Sequence, residues 1–387
     1  MEGAHRQAGL SPGRAVSAGK LFFPVAAAYA ALILPASVLP MLGVAPALPG
    51  LASPAAHAHE MLFGFALLVV AGHQLGRLGS KGLGLLLALW ALARLSFLFA
   101  PQGAVAVAAN VAFAALLGAR LAPRLFTSAK KLRNVALPVA LTALAGGAAT
   151  VELARHFEAR LVERTALAVV VVVFSLLMLF MGGRLVAPAA AGQLYRQGGN
   201  LEARVQPRIE GALIALMLVA ATASAFASHR APALVAGIAM CAAGALAAAR
   251  LVRWRLWALR ARPDLLCIGA GYAWVAAGLV AWGAAILLER RELAMLHAIT
   301  VGGIGTLTIN VMALTWARQG RVDPAHARLP LWSTLLVAVA TLARIAADFS
   351  AADRPMWLLL AACAWSAAFV LLLVRFARVR PRQRPAP

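Results

Sequence analysis

The chain has 387 residues, of which 63% are hydrophobic and 13% charged, and its formal net charge is +23. A soluble domain is roughly 45–50% apolar, so this composition excludes one and predicts a polytopic membrane protein with the lipid bilayer as its first partner. The positive excess falls in clusters between apolar runs, as the positive-inside rule produces, and lacks the basic soluble domain of a nucleic-acid binder.

Residues 1–20 hold His5, Arg6, Arg14 and Lys20 among small residues and form an N-terminal cytoplasmic segment. The apolar run from Leu21 to about Gly43 is too long for the core of a signal peptide and is the first span. Runs of spanning length follow at about 58–76, 82–100, 103–122, 134–151, 165–187, 208–228, 231–251, 265–288, 293–316, 330–349 and 355–376. The expected fold class is all-α, a polytopic transmembrane bundle of about twelve helices. One domain covers 21–376, and 377–387 is a basic tail.

Summed on alternate sides, about 27 Lys and Arg fall with the N-terminal segment and about 7 opposite, with Arg94 and Arg344 left inside spans. Both termini are therefore expected in the cytoplasm, which requires an even number of crossings. The segment 149–164, with Glu152, Arg155, His156, Glu158, Arg160 and Glu163, suits a short helix lying on the outer surface with solvated charges. The longest cytoplasmic loop, 187–207, divides the spans six and six. Cys241, Cys267 and Cys363 sit singly in apolar runs without CxxC spacing and read as small hydrophobes.

Polar residues within spans carry the functional signal, because each is costly there unless partnered. His57, His59 and Glu60 mark the outer end of the second span, and His297 lies at a comparable depth in the tenth. Neutral imidazole is a usual ligand of haem iron and copper, and Met61 adds a soft sulfur nearby. His57 and His59 project about 200° apart on a regular helix, so both reach one metal only if His57 precedes the helix proper. Arg94, and Arg344 with Asp348 at i,i+4, lie at the same level, where they serve haem propionates or an anionic substrate, or else snorkel and pair locally. His73 lies fourteen residues after His59 on roughly the same face and about 21 Å deeper, most simply as a core histidine. Asn110 and Asn310 suit helix-to-helix bonding, and Gly72-x-x-x-Gly76 suits close packing.

The stretch His57-Ala58-His59-Glu60-Met61-Leu62-Phe63-Gly64-Phe65 resembles the His-Ala-His-Glu-Met block of the NnrS family. Leu296-His297-Ala298-Ile299-Thr300-Val301-Gly302-Gly303-Ile304-Gly305-Thr306 is similar to that family's second signature, and Leu342-Ala343-Arg344 and Ala364-Trp365-Ser366-Ala367-Ala368-Phe369 match weaker blocks. The resemblance implies a bacterial inner-membrane protein that binds haem and copper and acts in the nitric oxide response, with nitric oxide or a nitrosylated metal species as partner. Together with their depth in the spans, His59 and His297 are expected as the main ligands, with His57 a further metal-site residue, Glu60 at the metal site as orienter of an imidazole, and Arg94 and Arg344 as cofactor-binding cations. The chain departs from the family at Ala317-Arg318-Gln319-Gly320-Arg321, where Gly-His-Thr-Gly-Arg is usual. Gly269 stands where a histidine is usual, Asn110 stands for Asp, and Gly72-His73-Gln74-Leu75-Gly76-Arg77 replaces an Asn-Trp-Thr-Gly element. Two family histidines are absent and His73 is additional, so a full ligand complement is not implied. The rival functions are a transporter for a small anion or metal complex gated at the outer face, and a family member without cofactor. No second acid–base pair points to a hydrolase or transferase.

Overall fold

The computed structural model describes residues 15–201, 206–326 and 328–379; most of the N-terminal segment and of the basic tail lie outside the described residues. Twelve helices are long and apolar enough to cross a membrane. They are α1 Ala18–Met41, α2 Pro54–Gln74, α3 Ser80–Phe99, α4 Ala104–Ser128, α5 Leu132–His156, α6 Arg160–Arg196, α7 Pro207–Ser224, α8 Arg230–Ala258, α9 Pro263–Leu287, α10 Glu292–Gly320, α11 Leu329–Ala346 and α12 Arg354–Arg378. In lipid every backbone polar group must be satisfied inside its own segment, which is why long apolar runs become helices. We call the end where α1 begins and α12 ends inner, and the opposite end outer.

Sequential helices pack as neighbours, and α12 closes the bundle against α1, with the Trp365 indole donating to the Ala30 carbonyl at 3.0 Å and Ser366 to that of Ala31 at 2.8 Å. α2, α6 and α10 are the central helices, each about three-quarters buried. They therefore hold whatever site the protein has. At the inner end a short antiparallel pair, β1 Ala15–Ser17 and β2 Arg77–Gly79, ties the start of α1 to the loop after α2, and Gln319 of α10 donates to the Ser17 hydroxyl at 3.0 Å. Gly76, at φ +64°, makes the turn that leads into β2.

Several sequence expectations change, and the first is the loop expected at 187–207, which is helical through Arg196 because α6 runs on past its apolar stretch. The segment 149–164 is no surface helix: α5 continues through His156, a tight turn follows, and α6 starts at Arg160. Glu152 is 0% exposed and Arg155 and Glu163 are 8% exposed, because their charges pair with each other and with α2 instead of water. The inner half also holds buried charge, at Glu210, Arg250 and Arg375. A count of charge by side places Arg250 and Arg375 at this end of the bundle but does not show that they are buried.

Candidate functional site

The Ser53 hydroxyl caps the outer end of α2, accepting the Ala56 N–H at 3.1 Å, and Pro54 occupies the first turn. The helix is regular through His59 and then widens into a π-helical stretch, Glu60–Ala66. α10 repeats the arrangement, regular over Glu292–His297 and π-helical over Ala298–Gly305. Single π turns are rare and concentrate at functional sites. Here both follow directly on the two histidine signatures. Gly64 within the first is required by contact: a Cβ there would stand 2.7 Å from the Tyr29 ring and 3.1 Å from the Arg94 guanidinium. Its carbonyl accepts from the Trp90 indole at 2.9 Å.

His57 and His59 both lie within the helix and enter different surroundings. His59 is fully buried and stacks on Phe97 at 4.0 Å between ring centroids. Its Nδ1 lies 2.9 Å from Glu60 Oε1, and its Nε2 is against Glu152 Oε1. Glu60, also at 0% exposure, accepts from Arg94 Nη1 at 2.6 Å and from the Tyr29 hydroxyl. Arg94 Nη2 donates to Asn110 Oδ1 and its Nε has no partner, so Arg94 is held in the bundle and does not snorkel. Arg155 donates through Nε and Nη2 to Glu163 Oε1 at 2.9 and 2.6 Å, lies 3.9 Å from Glu152, and rests over Phe97 at 4.6 Å.

Five helices besides α2 thus converge on one imidazole and its carboxylate. Three carboxylates face two guanidiniums, so the cluster is one positive charge short of balance until it holds a proton beyond those of neutral imidazole. The cluster orients its groups, and within it His59 Nε2, both Glu152 oxygens, Arg94 Nε and Arg155 Nη1 are buried without a hydrogen-bond partner.

His57 is half-buried and stands outside this cluster. Its Nδ1 is buried without a hydrogen-bond partner. Arg344 of α11 and His57 both lie close enough to His297 to act on it electrostatically, and Arg344 acts likewise on His57. The His297 Nδ1–H donates to the Leu293 carbonyl at 2.5 Å, the helical i−4 bond that fixes the tautomer and leaves the Nε2 lone pair free for a ligand. Arg344 donates to Asp348 Oδ2 at 2.9 Å, with Arg354 at 3.8 Å from the same carboxylate. His57, His297 and Arg344 thus lie within electrostatic reach of one another, and His59, Glu60 and Arg94 lie in the carboxylate–guanidinium cluster.

His73, at the inner end of α2, lines a cavity of about 90 Å³ between α2, α6 and α10, whose walls include Val70, Met178, Met181, Leu307 and Thr308. Asn310 joins α10 to α11 by donating to Thr334 at 2.9 Å. Among the described residues no group of three or more His, Cys, Asp or Glu forms a cage for a metal ion. Sequence reasoning missed Tyr29, Glu152, Arg155 and Glu163; the signal available for Glu152 and Arg155 was their i,i+3 spacing at the end of a run that continues apolar behind them. A comparison with curated proteins gave no match. The profile of the NnrS protein family matches residues 18–384, nearly the whole chain.

Proposed function

The chain belongs to the NnrS family, and from that premise we propose that it is an inner-membrane haem- and copper-binding protein of the nitric oxide response, its ligand-accepting centre set by His57 and His297. The observation that carries this is the orphaned Nδ1 of His57, within electrostatic reach of His297, whose tautomer is already fixed. A buried polar atom without a partner costs about 1–3 kcal/mol, and a metal relieves that cost when the atom is a ligand. Two imidazoles fit haem iron or copper equally. A metal held there supplies a binding site for a small diatomic and a one-electron couple. Both termini lie in the cytoplasm by the distribution of Lys and Arg, which puts the centre at the periplasmic side.

The chain's own residues do the rest. The cluster ties α2, α3 and α5 together around His59, two residues after His57. Arg344 puts a positive charge beside both imidazoles, a place for an anionic group of the cofactor or for an anionic ligand, while Asp348 offsets part of that charge.

Ultraviolet–visible spectra and metal analysis of the purified full-length protein, expressed with haem and copper available, test this. His57→Ala and His297→Ala are each expected to abolish or strongly shift the spectrum. Glu60→Gln acts through orientation and lowers metal affinity by about 10–100-fold. Wild-type protein holding neither metal in stoichiometric amount sinks the proposal, as do His57→Ala and His297→Ala with unchanged spectra.

A further inference from the structure

At the inner end, four helical segments bring three arginines around one carboxylate. Glu210, in the first turn of α7, lies 3.8 Å from Arg133 Nη1, 3.5 Å from Arg184 Nη2 and 3.9 Å from Arg250 Nη2. Among the described residues no other carboxylate pairs with these three arginines. The formal sum is two positive charges in excess, and the N-terminus of α7 adds its own partial positive charge, which Glu210 also has to serve. None of the three ion pairs closes to the 2.6–2.9 Å of the outer cluster.

Unused donors surround this excess. The Tyr272 hydroxyl and the Trp254 indole N–H belong to residues that are 0% exposed, and neither has a hydrogen-bond partner; the Nε of Arg250 and the Nε of Arg133 have none either. They form one group. Trp254 and Tyr272 are 4.9 Å apart between ring centroids, the Arg250 guanidinium lies 5.4 Å over Trp254, and it stands beside the Tyr272 hydroxyl without meeting it in hydrogen-bond geometry. Gly183 leaves the room that Arg250 fills, since a Cβ there would overlap the guanidinium. Side-chain exposure falls from 42% at Arg184 through 26% at Arg133 to 7% at Arg250, a graded path from the inner interface into the bundle.

Arginines left over from topology alone would stand in water at the membrane surface, whereas Arg250 is buried with its neighbours' donors unpaired. Guanidinium forks match the oxygens of a phosphate, and basic pockets between spans on the cytoplasmic side take lipid head groups. We propose that Arg133, Arg184, Arg250 and Tyr272 form a binding site for a phosphate group at the inner face of the membrane, delivered as the head group of an anionic phospholipid or as free phosphate. Glu210 positions the arginines and limits their affinity.

The test uses the full-length protein in nanodiscs of phosphatidylcholine, with and without phosphatidylglycerol, reading the unfolding midpoint and lipid retention by native mass spectrometry. A separate arm adds inorganic phosphate against chloride at matched ionic strength. A rise in midpoint with phosphatidylglycerol alone assigns a head group, and a rise with phosphate in neutral discs assigns the free anion. Arg184→Gln is expected to weaken the response about fivefold, the effect of one basic group near the surface. Arg250→Gln is expected to weaken it further, and Glu210→Gln to strengthen it. If Arg250→Gln does not fold, Arg184→Gln and Glu210→Gln decide. Arg253→Gln removes an equal charge from an exposed position outside the cluster and is expected to change little. No response to either probe overturns the proposal, and so does an Arg184→Gln effect no larger than that of Arg253→Gln.

Discussion

The outer and inner charge clusters are opposites in composition and in closure. Outside, three carboxylates, two guanidiniums and an imidazole meet in close contacts at near-zero exposure; inside, three guanidiniums share one carboxylate at 3.5–3.9 Å. A buried charge is tolerated only when partnered. Each outer carboxylate has a guanidinium within 2.6–3.9 Å, although His59 Nε2, both Glu152 oxygens, Arg94 Nε and Arg155 Nη1 have no hydrogen-bond partner, whereas the inner cluster sets three guanidiniums against the single carboxylate of Glu210.

The largest effect is expected from opening the outer cluster. Glu60→Ala strands Arg94, His59 and Tyr29 together, and removing one partner of a buried pair costs about 3–5 kcal/mol; thermal unfolding in detergent should show a large drop or no folded protein. A stable Glu60→Ala variant would mean the cluster is hydrated rather than closed. Gly64→Ala presses a methyl group on Tyr29 and Arg94 and should cost about 1–3 kcal/mol, read from the same unfolding curve, with a changed Trp90 fluorescence environment. Glu210→Gln should cost less than either, about 1 kcal/mol or below, because its pairs are long and two of its arginines are partly exposed. If Glu210→Gln destabilises as much as Glu60→Ala, the contrast between the clusters disappears. Arg344→Ala is the mildest for stability, about 1 kcal/mol, since the pair with Asp348 is 21% and 18% exposed and local to one helix end, yet it removes a positive charge within electrostatic reach of His57 and His297. Any metal spectrum should then show weaker binding at an unmoved absorption maximum.

Span number was legible because apolar run length is decided locally: the expected 58–76 and 134–151 differ from Pro54–Gln74 and Leu132–His156 only at their ends. The partners were not. Glu152, Arg155 and Glu163 look like a solvated loop in one dimension, since nothing in their spacing says that α2 lies against them. Arg184 and Arg250 look like topology charges, since a count by side cannot tell a side chain in water from one folded back into the bundle. The resemblance located His57, His59 and His297, but which two face each other depends on helix phase, and π turns carry no compositional mark. The same widening breaks the 3.6-residue phase between His59 and His73, and the two end on different neighbours.

The small β1–β2 pair sets a mechanical condition on the centre. Through it and the Gln319–Ser17 bond, the inner ends of α1, α2 and α10 are pinned to one another, while His57 and His297 ride near the far ends of α2 and α10. A helix of this length reaches about 30 Å from such a pivot. A scissoring of about 5° at the pinned end therefore swings the far end by about 2.6 Å at 1.5 Å of rise per residue, enough to make or break a metal–ligand bond. The lever amplifies, so a small rotation at the inner end becomes a large displacement of the outer histidines.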